Sequence, residues 1–192
     1  MRVAIISDLH GNLKALDYFI NYIEKNKINI VLNLGDILGG LRPIEAMRII
    51  KNDERFINVC GNHDEDLVFL DDELSNDEKI WLRNIPKSRV INLYNKKFLM
   101  VHSRKDNNRD IPILYTGESI EKFLMDYEGD FEYVLFGHTH YQCLLSFYEG
   151  KVLINPGSLG LSYDNKISFA IININKNEFN IEFKKIDYES ED

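Results

Sequence analysis

The residues of this sequence that are best suited to chemistry lie in short polar segments, and each segment follows an apolar run. The candidates are Asp8, His10, Asp36, Asn62, His63, Asp64, His102, His138 and His140, which include all five histidines of the chain. Their side chains offer oxygen and nitrogen ligands and no thiolate. Such a set suits Mn²⁺, Zn²⁺ or iron better than Ca²⁺ or an iron–sulfur cluster. It is too large for one tetrahedral ion and suits two ions that share a carboxylate.

The segment GHTH places His138 and His140 one residue apart, directly after the apolar run YVLF. Residues i and i+2 of an extended segment point to the same side. We therefore expect both imidazoles to face one edge of a sheet. There they would be close enough for two neighbouring ions but poorly placed to share a single ion.

Apolar runs and helical patterns alternate in the first half of the chain. The run VAIIS predicts a first strand, apolar residues at spacings of three and four from Leu13 to Ile23 predict a helix, and INIVLNL predicts a second strand. A strand–helix–strand unit of this length places its two strands in parallel. Pro43 predicts the start of a short helix that runs through Ile50, and RFINVC predicts a third strand.

The remaining elements are predicted mainly as strands. Ser75 and Glu78 have capping-box spacing ahead of one more helix, which Pro86 ends. A further helix is predicted over 118–126, and three hairpins are predicted, around Asn95–Lys96, Glu149–Gly150 and 175–177. The fold class is therefore α/β in the first half and mostly antiparallel β in the second, an α/β (α+β) arrangement. We expect two packed sheets with helices outside, in a single domain over residues 1–192.

The loops that follow the predicted strands hold all of the candidate residues. In an open α/β sheet, binding sites form outside the carboxyl ends of the strands. Residues separated by about 130 positions, such as Asp8 and His138, are therefore expected at one place.

Length, composition and charge limit the classes of function. The 192 residues contain no apolar run near the ~20 residues that span a bilayer. The first residues reach Asp8 too soon for a signal peptide, so we expect a cytoplasmic protein that binds no membrane. A net charge of −8 argues against non-specific binding of nucleic acid. It does not exclude a phosphoester, because bound metal ions supply positive charge locally. The oligomeric state stays open, with a dimer as one option.

The order of these segments resembles a known family. The motifs D-x-H, G-D, G-N-H-D, a single histidine and G-H-x-H occur in sequence between Asp8 and His140, as in the calcineurin-like metallophosphoesterase superfamily. The segment INPGSLG and the ending IEFKKIDYE resemble the small phosphodiesterase-like branch of that family. This resemblance implies a four-layer αββα sandwich with two mixed sheets flanked by helices.

The resemblance also implies a role for each residue. Asp8, His10 and His140 would bind a first metal ion, Asp36 would bridge both ions, and Asn62, His102 and His138 would bind the second. His63 would act on the phosphate as a catalytic residue, with Asp64 orienting it. The implied cofactors are two divalent ions, with Mn²⁺ ahead of Ni²⁺, Fe²⁺ or Zn²⁺. The implied reaction is hydrolysis of a small or nucleotide-like phosphodiester, by in-line attack of a metal-bound hydroxide.

Other substrates and weaker signals stay open at this point. A phosphoprotein phosphatase, a dinucleoside polyphosphate hydrolase and a non-catalytic scaffold of the same fold are the alternatives. Arg42 follows the GDILGG segment and could bind a phosphate oxygen in a bidentate manner. Ser103 follows His102 where the family commonly has glycine, which puts the backbone at His102 in question. The aromatic residues are expected in the core.

Overall fold

The computed structural model describes residues 1–66, 72–105, 107–110, 125, 129, 131–146 and 150–188. The strands assigned among them are β1 (Arg2–Ile6), β2 (Val31–Asn33), β3 (Phe56–Asn58), β4 (Ser88–Leu93), β5 (Lys96–Val101), β6 (Tyr133–Leu135), β7 (Gln142–Ser146), β8 (Val152–Pro156), β9 (Lys166–Ile174) and β10 (Phe179–Asp187). The helices are α1 (Leu13–Lys25), α2 (Pro43–Asn52), α3 (Asn62–Glu65) and α4 (Asn76–Arg83).

The strands form two mixed five-stranded sheets. Sheet A has the order β10-β9-β1-β2-β3, in which β1, β2 and β3 are parallel while β9 and β10 are antiparallel to their neighbours. Sheet B has the order β4-β5-β6-β8-β7, in which β5, β6 and β8 are parallel and the two edge strands are antiparallel. The predicted fold class, two mixed sheets flanked by helices, is confirmed.

Alternation along β1 explains why both faces of sheet A are buried. Ala4 and Ile6 point into a core shared with α1, α2 and α4, whereas Val3 and Ile5 point into a second core shared with sheet B. Burying one large apolar side chain stabilises the fold by about 1.5–3 kcal/mol, so these two cores hold the layers together. A third apolar group, which includes Val134, is buried on the face of sheet B that points away from sheet A.

Local signals account for the helix boundaries. α1 begins after Asn12, whose side chain accepts a hydrogen bond from the backbone N–H of Ala15 at 3.0 Å. α4 begins after Ser75, and Ser75 and Glu78 form the predicted capping box. Among the described residues, no helix combines the length and apolar character needed to cross a bilayer.

One predicted turn lies one residue earlier in the structure, and parts of two other predicted elements lie outside the described residues. The first hairpin turns at Tyr94–Asn95 rather than at Asn95–Lys96, because Leu93 pairs with Lys96 and Tyr94 adopts the left-handed conformation that closes the turn, with φ of 54°. The helix predicted over 118–126 falls, apart from Met125, outside the described residues, as do residues 147–149 of the second hairpin.

The parallel strands bring the candidate residues to one edge of the two sheets. Asp8 follows β1, Asp36 follows β2 and Asn62 follows β3, all at the carboxyl edge of sheet A. His102 and His138 follow β5 and β6 at the carboxyl edge of sheet B. Loops from both sheets therefore meet at this edge.

Candidate metal centre

A first cluster is formed by Asp8, His10 and His140. The Nε2 atom of His140 lies 3.3 Å from Oδ1 of Asp8 and 3.3 Å from Nε2 of His10. The Nε2 atom of His10 lies 3.9 Å from the same Asp8 oxygen. Three ligand atoms thus converge from loops that are up to about 130 residues apart.

A second cluster is formed by Asp36, Asn62, His102 and His138. The Nε2 atom of His102 lies 3.3 Å from Oδ2 of Asp36, 3.0 Å from Oδ1 of Asn62 and 3.2 Å from Nδ1 of His138. The two histidines of GHTH therefore belong to different clusters, as the expectation of two neighbouring ions requires.

Asp36 lies between the two clusters. Its Oδ2 atom is 3.3 Å from Nε2 of His102 and 3.7 Å from Nε2 of His10. Its other oxygen, Oδ1, accepts the backbone N–H of His63 at 2.9 Å. One carboxylate oxygen thus faces both groups while the second oxygen is held by the chain.

Backbone carbonyls orient two of the imidazoles. Nδ1 of His102 lies 2.8 Å from the carbonyl oxygen of Leu34, and Nδ1 of His140 lies 2.7 Å from that of Leu161. A carbonyl accepts only, so each Nδ1 carries the proton and donates it. The Nε2 atom of each ring then faces its cluster, which is the orientation that metal-binding histidines adopt.

Five of the predicted ligands have a left-handed backbone. They are Asp8 (φ 56°), His10 (φ 48°), Asp36 (φ 56°), His138 (φ 64°) and His140 (φ 60°). For residues other than glycine this conformation costs of order 1–3 kcal/mol each, and it clusters at functional sites. The two GHTH histidines reach the edge through this irregular backbone, not through the extended alternation expected from their spacing.

The first cluster contains a buried oxygen without a hydrogen bond. Among the described residues, only three buried side-chain polar atoms have no such partner, and Oδ1 of Asp8 is one of them. Leaving a buried carboxylate oxygen unpaired costs about 1–3 kcal/mol or more. The same oxygen faces Nε2 of His140, so a cation at this point would satisfy both atoms. The residues present therefore fit a divalent metal ion.

The electrostatics of the clusters favour a positive charge. Burial alone would lower the pKa of His102, but the negative charges of Asp36 and Asp8 outweigh burial and raise it to about 9. Burial would raise the pKa of Asp36, but the neighbouring His102 holds it below its usual value. Burial lowers the pKa of His10 to about 4, which leaves its imidazole neutral and able to bind a metal.

His63 and Asp64 are adjacent in sequence but differ in environment. The side chain of His63 is exposed, and its ring packs edge-on against His10 with 4.9 Å between centroids. Asp64 is buried, and its carboxylate accepts the backbone N–H groups of Asp36, Leu38 and Gly61, each at 2.9 Å. Asp64 therefore holds the backbone of two site loops, which differs from the expected role of orienting the His63 ring.

Arg42 and Ser103 lie beside the site. The guanidinium of Arg42 is half exposed and donates to Oε1 of Glu45 at 3.0 Å, so it points along α2 rather than into the clusters. Such exposed pairs contribute only about 0–1 kcal/mol, and a stronger anion can displace Glu45.

Ser103 does not have a positive φ, and its hydroxyl donates to the carbonyl of Asp110. His102 is therefore placed without a glycine-like conformation at the next residue.

Close backbone packing requires glycine at two motif positions. A Cβ atom at Gly61 would lie 2.1 Å from Oδ1 of Asp36, and one at Gly137 would lie 1.9 Å from Oγ of Ser7. Both contacts are far shorter than van der Waals distance. The glycines of GNHD and GHTH thus let the loops of the two sheets approach each other.

Two supporting residues were not singled out from the sequence. Ser158 donates its hydroxyl to the carbonyl of Asp8 at 2.8 Å, and Nδ2 of Asn155 donates to the carbonyl of Gly137 at 2.7 Å. Both belong to the segment INPGSLG, which the sequence analysis used only as a family feature. The family resemblance of that segment was the one signal that pointed to them.

Two packed mixed sheets with carboxylates and imidazoles at the strand ends are typical of a metal-dependent hydrolase. Residues 1–177 match the calcineurin-like phosphoesterase superfamily domain, and the chain belongs to this family. It is a metal-dependent phosphoric ester hydrolase. Family membership and the two clusters together support binding of divalent metal ions.

Known proteins share this sequence pattern and fold. The uncharacterized protein MJ0912 of Methanocaldococcus jannaschii is 30% identical, in an alignment that covers 97% of this chain and 88% of the relative. A metallophosphoesterase from Sphaerobacter thermophilus has a TM-score of 0.77 at 22% identity, over 98% of this chain and 90% of that one. An archaeal phosphodiesterase has a TM-score of 0.65 at 19% identity, over 96% of this chain and 100% of that one.

Proposed function

We propose that this protein is a phosphodiesterase that uses two divalent metal ions, Mn²⁺ first among them, to hydrolyse a small or nucleotide-like phosphodiester. The observation that supports this most strongly is the position of Asp36. One oxygen of Asp36 lies 3.7 Å from Nε2 of His10 in the first cluster and 3.3 Å from Nε2 of His102 in the second. A carboxylate that serves two adjacent ligand groups is what a two-metal hydrolase needs.

The proposed ligands divide as the clusters do. Asp8, His10 and His140 hold the first ion, Asn62, His102 and His138 hold the second, and Asp36 contributes to both. Two divalent cations at these positions would supply the positive charge and the activation of water that phosphoester hydrolysis needs. Among the described residues, two carboxylates, Asp8 and Asp36, belong to the clusters, so a site loaded with two divalent ions would stay positive. It therefore attracts a phosphodiester anion despite the net charge of −8.

His63 is the proposed proton donor. Its ring is exposed at the mouth of the site and lies edge-on to His10, so it can reach a substrate bound above the clusters. The hydrogen bond from its backbone N–H to Asp36 holds it near that carboxylate. In this position His63 protonates the leaving oxygen, a step that contributes about 10²–10⁴-fold as general acid catalysis.

The exposure of the site favours small diester substrates, because the described residues give no sign of a buried pocket that would select one particular substrate. The side chain of His140 is 15% exposed and His63 lies at the surface, so a substrate can approach the clusters from the side of His63. The archaeal protein described as a phosphodiesterase shares the fold, which agrees with this substrate class. We expect broad activity on small diesters.

The test is hydrolysis of p-nitrophenyl phosphate and bis-p-nitrophenyl phosphate by protein stripped with EDTA and reloaded with Mn²⁺, Ni²⁺, Zn²⁺ or Mg²⁺. We expect Mn²⁺-dependent turnover with the diester preferred. The His63→Ala variant should still bind two ions per chain. It should lose about 10²–10⁴-fold in kcat on thymidylyl-(3′→5′)-thymidine, whose alkoxide leaving group needs a proton, and much less on the nitrophenyl esters, whose phenolate leaves without one. The Asp36→Asn variant should lose turnover and at least one ion. Asp17→Asn, an exposed carboxylate on α1, serves as the matched control.

Bound metal is counted by elemental analysis of the same samples. One ion per chain in fully active protein would contradict the two-metal proposal. Turnover of thymidylyl-(3′→5′)-thymidine that survives unchanged in His63→Ala would contradict the assignment of the proton donor. A higher rate on the monoester than on the diester would move the substrate class to phosphatase.

A further inference from the structure

Large apolar side chains are exposed around the first cluster. Leu41 is 80% exposed, Tyr163 70%, Tyr141 60% and Leu161 55%. Single exposed apolar residues are ordinary, but a group of them at the mouth of a site is typical of a binding surface. The aromatic residues were expected in the core, and for Tyr18, Tyr94, Tyr141 and Tyr163 that expectation is wrong.

The two tyrosines form a flat platform next to His140. Their rings are stacked, with 4.5 Å between centroids and 13° between planes. The ring of Tyr163 also lies 5.9 Å from the ring of His140. The carbonyl of Leu161, two residues before Tyr163, accepts the hydrogen bond that orients His140. The platform is thus continuous with the first cluster, and its exposure leaves ring surface free for a ligand.

A neighbouring pocket is smaller than the pockets that usually enclose a drug-sized ligand. It lies between Leu41 and Leu161, is bounded by His10 and Arg42, and has a volume of 220 Å³. Pockets that enclose a drug-sized ligand usually measure about 300–1,000 Å³. A larger organic group is therefore expected to lie on the open platform.

We propose that Tyr163, stacked on Tyr141, is the binding platform for the base of a nucleoside phosphodiester. This inference rests on the proposed function and adds the substrate class. The platform begins beyond His140, so an aromatic group on it must be joined to the phosphate through a spacer of a few bonds, as a nucleobase is through its sugar. Every base has a π-face, so stacking holds any of them and we expect little selection among bases.

The kinetic test compares two diesters with the same leaving group, thymidine 5′-(p-nitrophenyl phosphate) and methyl p-nitrophenyl phosphate. Stacking of one base on an aromatic side chain corresponds to a preference of about 5- to 150-fold in kcat/KM for the nucleoside ester. Tyr163→Ala should lower kcat/KM for the nucleoside ester about 5- to 150-fold more than it lowers kcat/KM for the methyl ester, which abolishes the preference. Tyr163→Phe should keep the preference. Tyr94→Ala, which removes an exposed tyrosine at the opposite end of β5, is the control.

Binding is measured separately by calorimetry with thymidine 5′-phosphate and methyl phosphate. We expect wild-type protein to bind the nucleotide about 5- to 150-fold more tightly, and Tyr163→Ala to bind both equally. If neither diester is cleaved, the proposed function fails. The calorimetry still tests whether Tyr163 binds the base of the nucleotide. Equal binding of both ligands by wild-type protein would overturn the platform.

A preference for the nucleoside ester that persists in Tyr163→Ala would also overturn the proposed platform. The remaining occupant of such a surface is a second copy of this chain. A dimer in sedimentation experiments that dissociates in Tyr163→Ala, with no change in nucleoside preference, would assign the surface to self-association and refute the proposal.

Discussion

Asp64 offers the sharpest test of how the site is built. Its two oxygens accept three backbone N–H groups, those of Asp36 and Gly61 on one oxygen and that of Leu38 on the other. The carboxylate is 1% exposed, so water cannot replace it. Removing the acceptor leaves buried donors unpaired, and each unpaired donor costs about 1–3 kcal/mol.

The two substitutions of Asp64 should differ in a defined order. In Asp64→Asn the amide oxygen can still accept two of the three N–H groups, while the amide NH₂ faces the third. We therefore expect the free energy of unfolding to fall by about 1–3 kcal/mol. In Asp64→Ala all three donors lose their acceptor, and we expect about 3–5 kcal/mol. One effect reduces both losses. Burial and the charge of Asp36 raise the pKa of Asp64 to about 6, so a neutral replacement relieves some repulsion.

The assay is urea unfolding followed by circular dichroism in EDTA, so that metal binding does not contribute. Asp66→Asn is the matched control, because Asp66 lies in the same segment but is 46% exposed and pairs with Arg109 at 2.9 Å. Such a surface pair contributes about 0–1 kcal/mol. We expect the order of destabilisation to be Asp64→Ala, then Asp64→Asn, then Asp66→Asn.

The opposite result would support the role that the family resemblance implies, in which Asp64 orients the ring of His63. If Asp64 acted by orienting the ring of His63, then Asp64→Asn and His63→Ala would lower kcat alike, and neither would change the free energy of unfolding. Equal stability of wild type and Asp64→Asn, within about 0.5 kcal/mol, would refute the backbone-bracing explanation.

Three further predictions follow from the fold and the site. Gly61→Ala should abolish metal binding or folding, since its Cβ would meet Asp36 at 2.1 Å, and elemental analysis with circular dichroism separates the two outcomes. Mn²⁺ at 100 times its dissociation constant should raise the free energy of unfolding of the wild type by about 2.7 kcal/mol, measured as a shift of the urea midpoint. The increase should be much smaller in His102→Ala, and an equal shift in both proteins would contradict the assignment of His102 as a ligand. Ser75→Ala should cost about 1 kcal/mol by loss of the α4 cap and leave kcat unchanged, which unfolding and kinetics of one sample check; a fall in kcat would show that α4 influences the site.

Much of the fold could be predicted because its signals are local. The apolar run from Val3 to Ile6, the helical spacing from Leu13 and the capping box at Ser75 each concern a few neighbouring residues. A strand–helix–strand unit has parallel strands, and parallel strands end at one edge. These facts predicted that polar segments up to about 130 residues apart would meet.

The details of the site could not be predicted because they depend on contacts between distant segments. The GHTH spacing suggested an extended strand end, whereas both histidines have left-handed φ, a conformation that packing against the loops of β1 and β5 must impose. The same holds for Asp64. The family resemblance implied that Asp64 orients His63, but buried N–H groups from two loops compete for its oxygens, and they are satisfied first because water cannot reach them.

The sequence by itself determined which ligand chemistry is available, the family, and the edge of the sheets at which the ligands gather. These follow from residue type and from the periodicity of strands and helices. Only the tertiary structure decided that Asp64 accepts backbone N–H groups from two site loops, and that Tyr141 and Tyr163 lie at the surface. The physical reason is that exposure and partner choice are properties of the packed layers, and no local pattern specifies which side chains those layers leave uncovered.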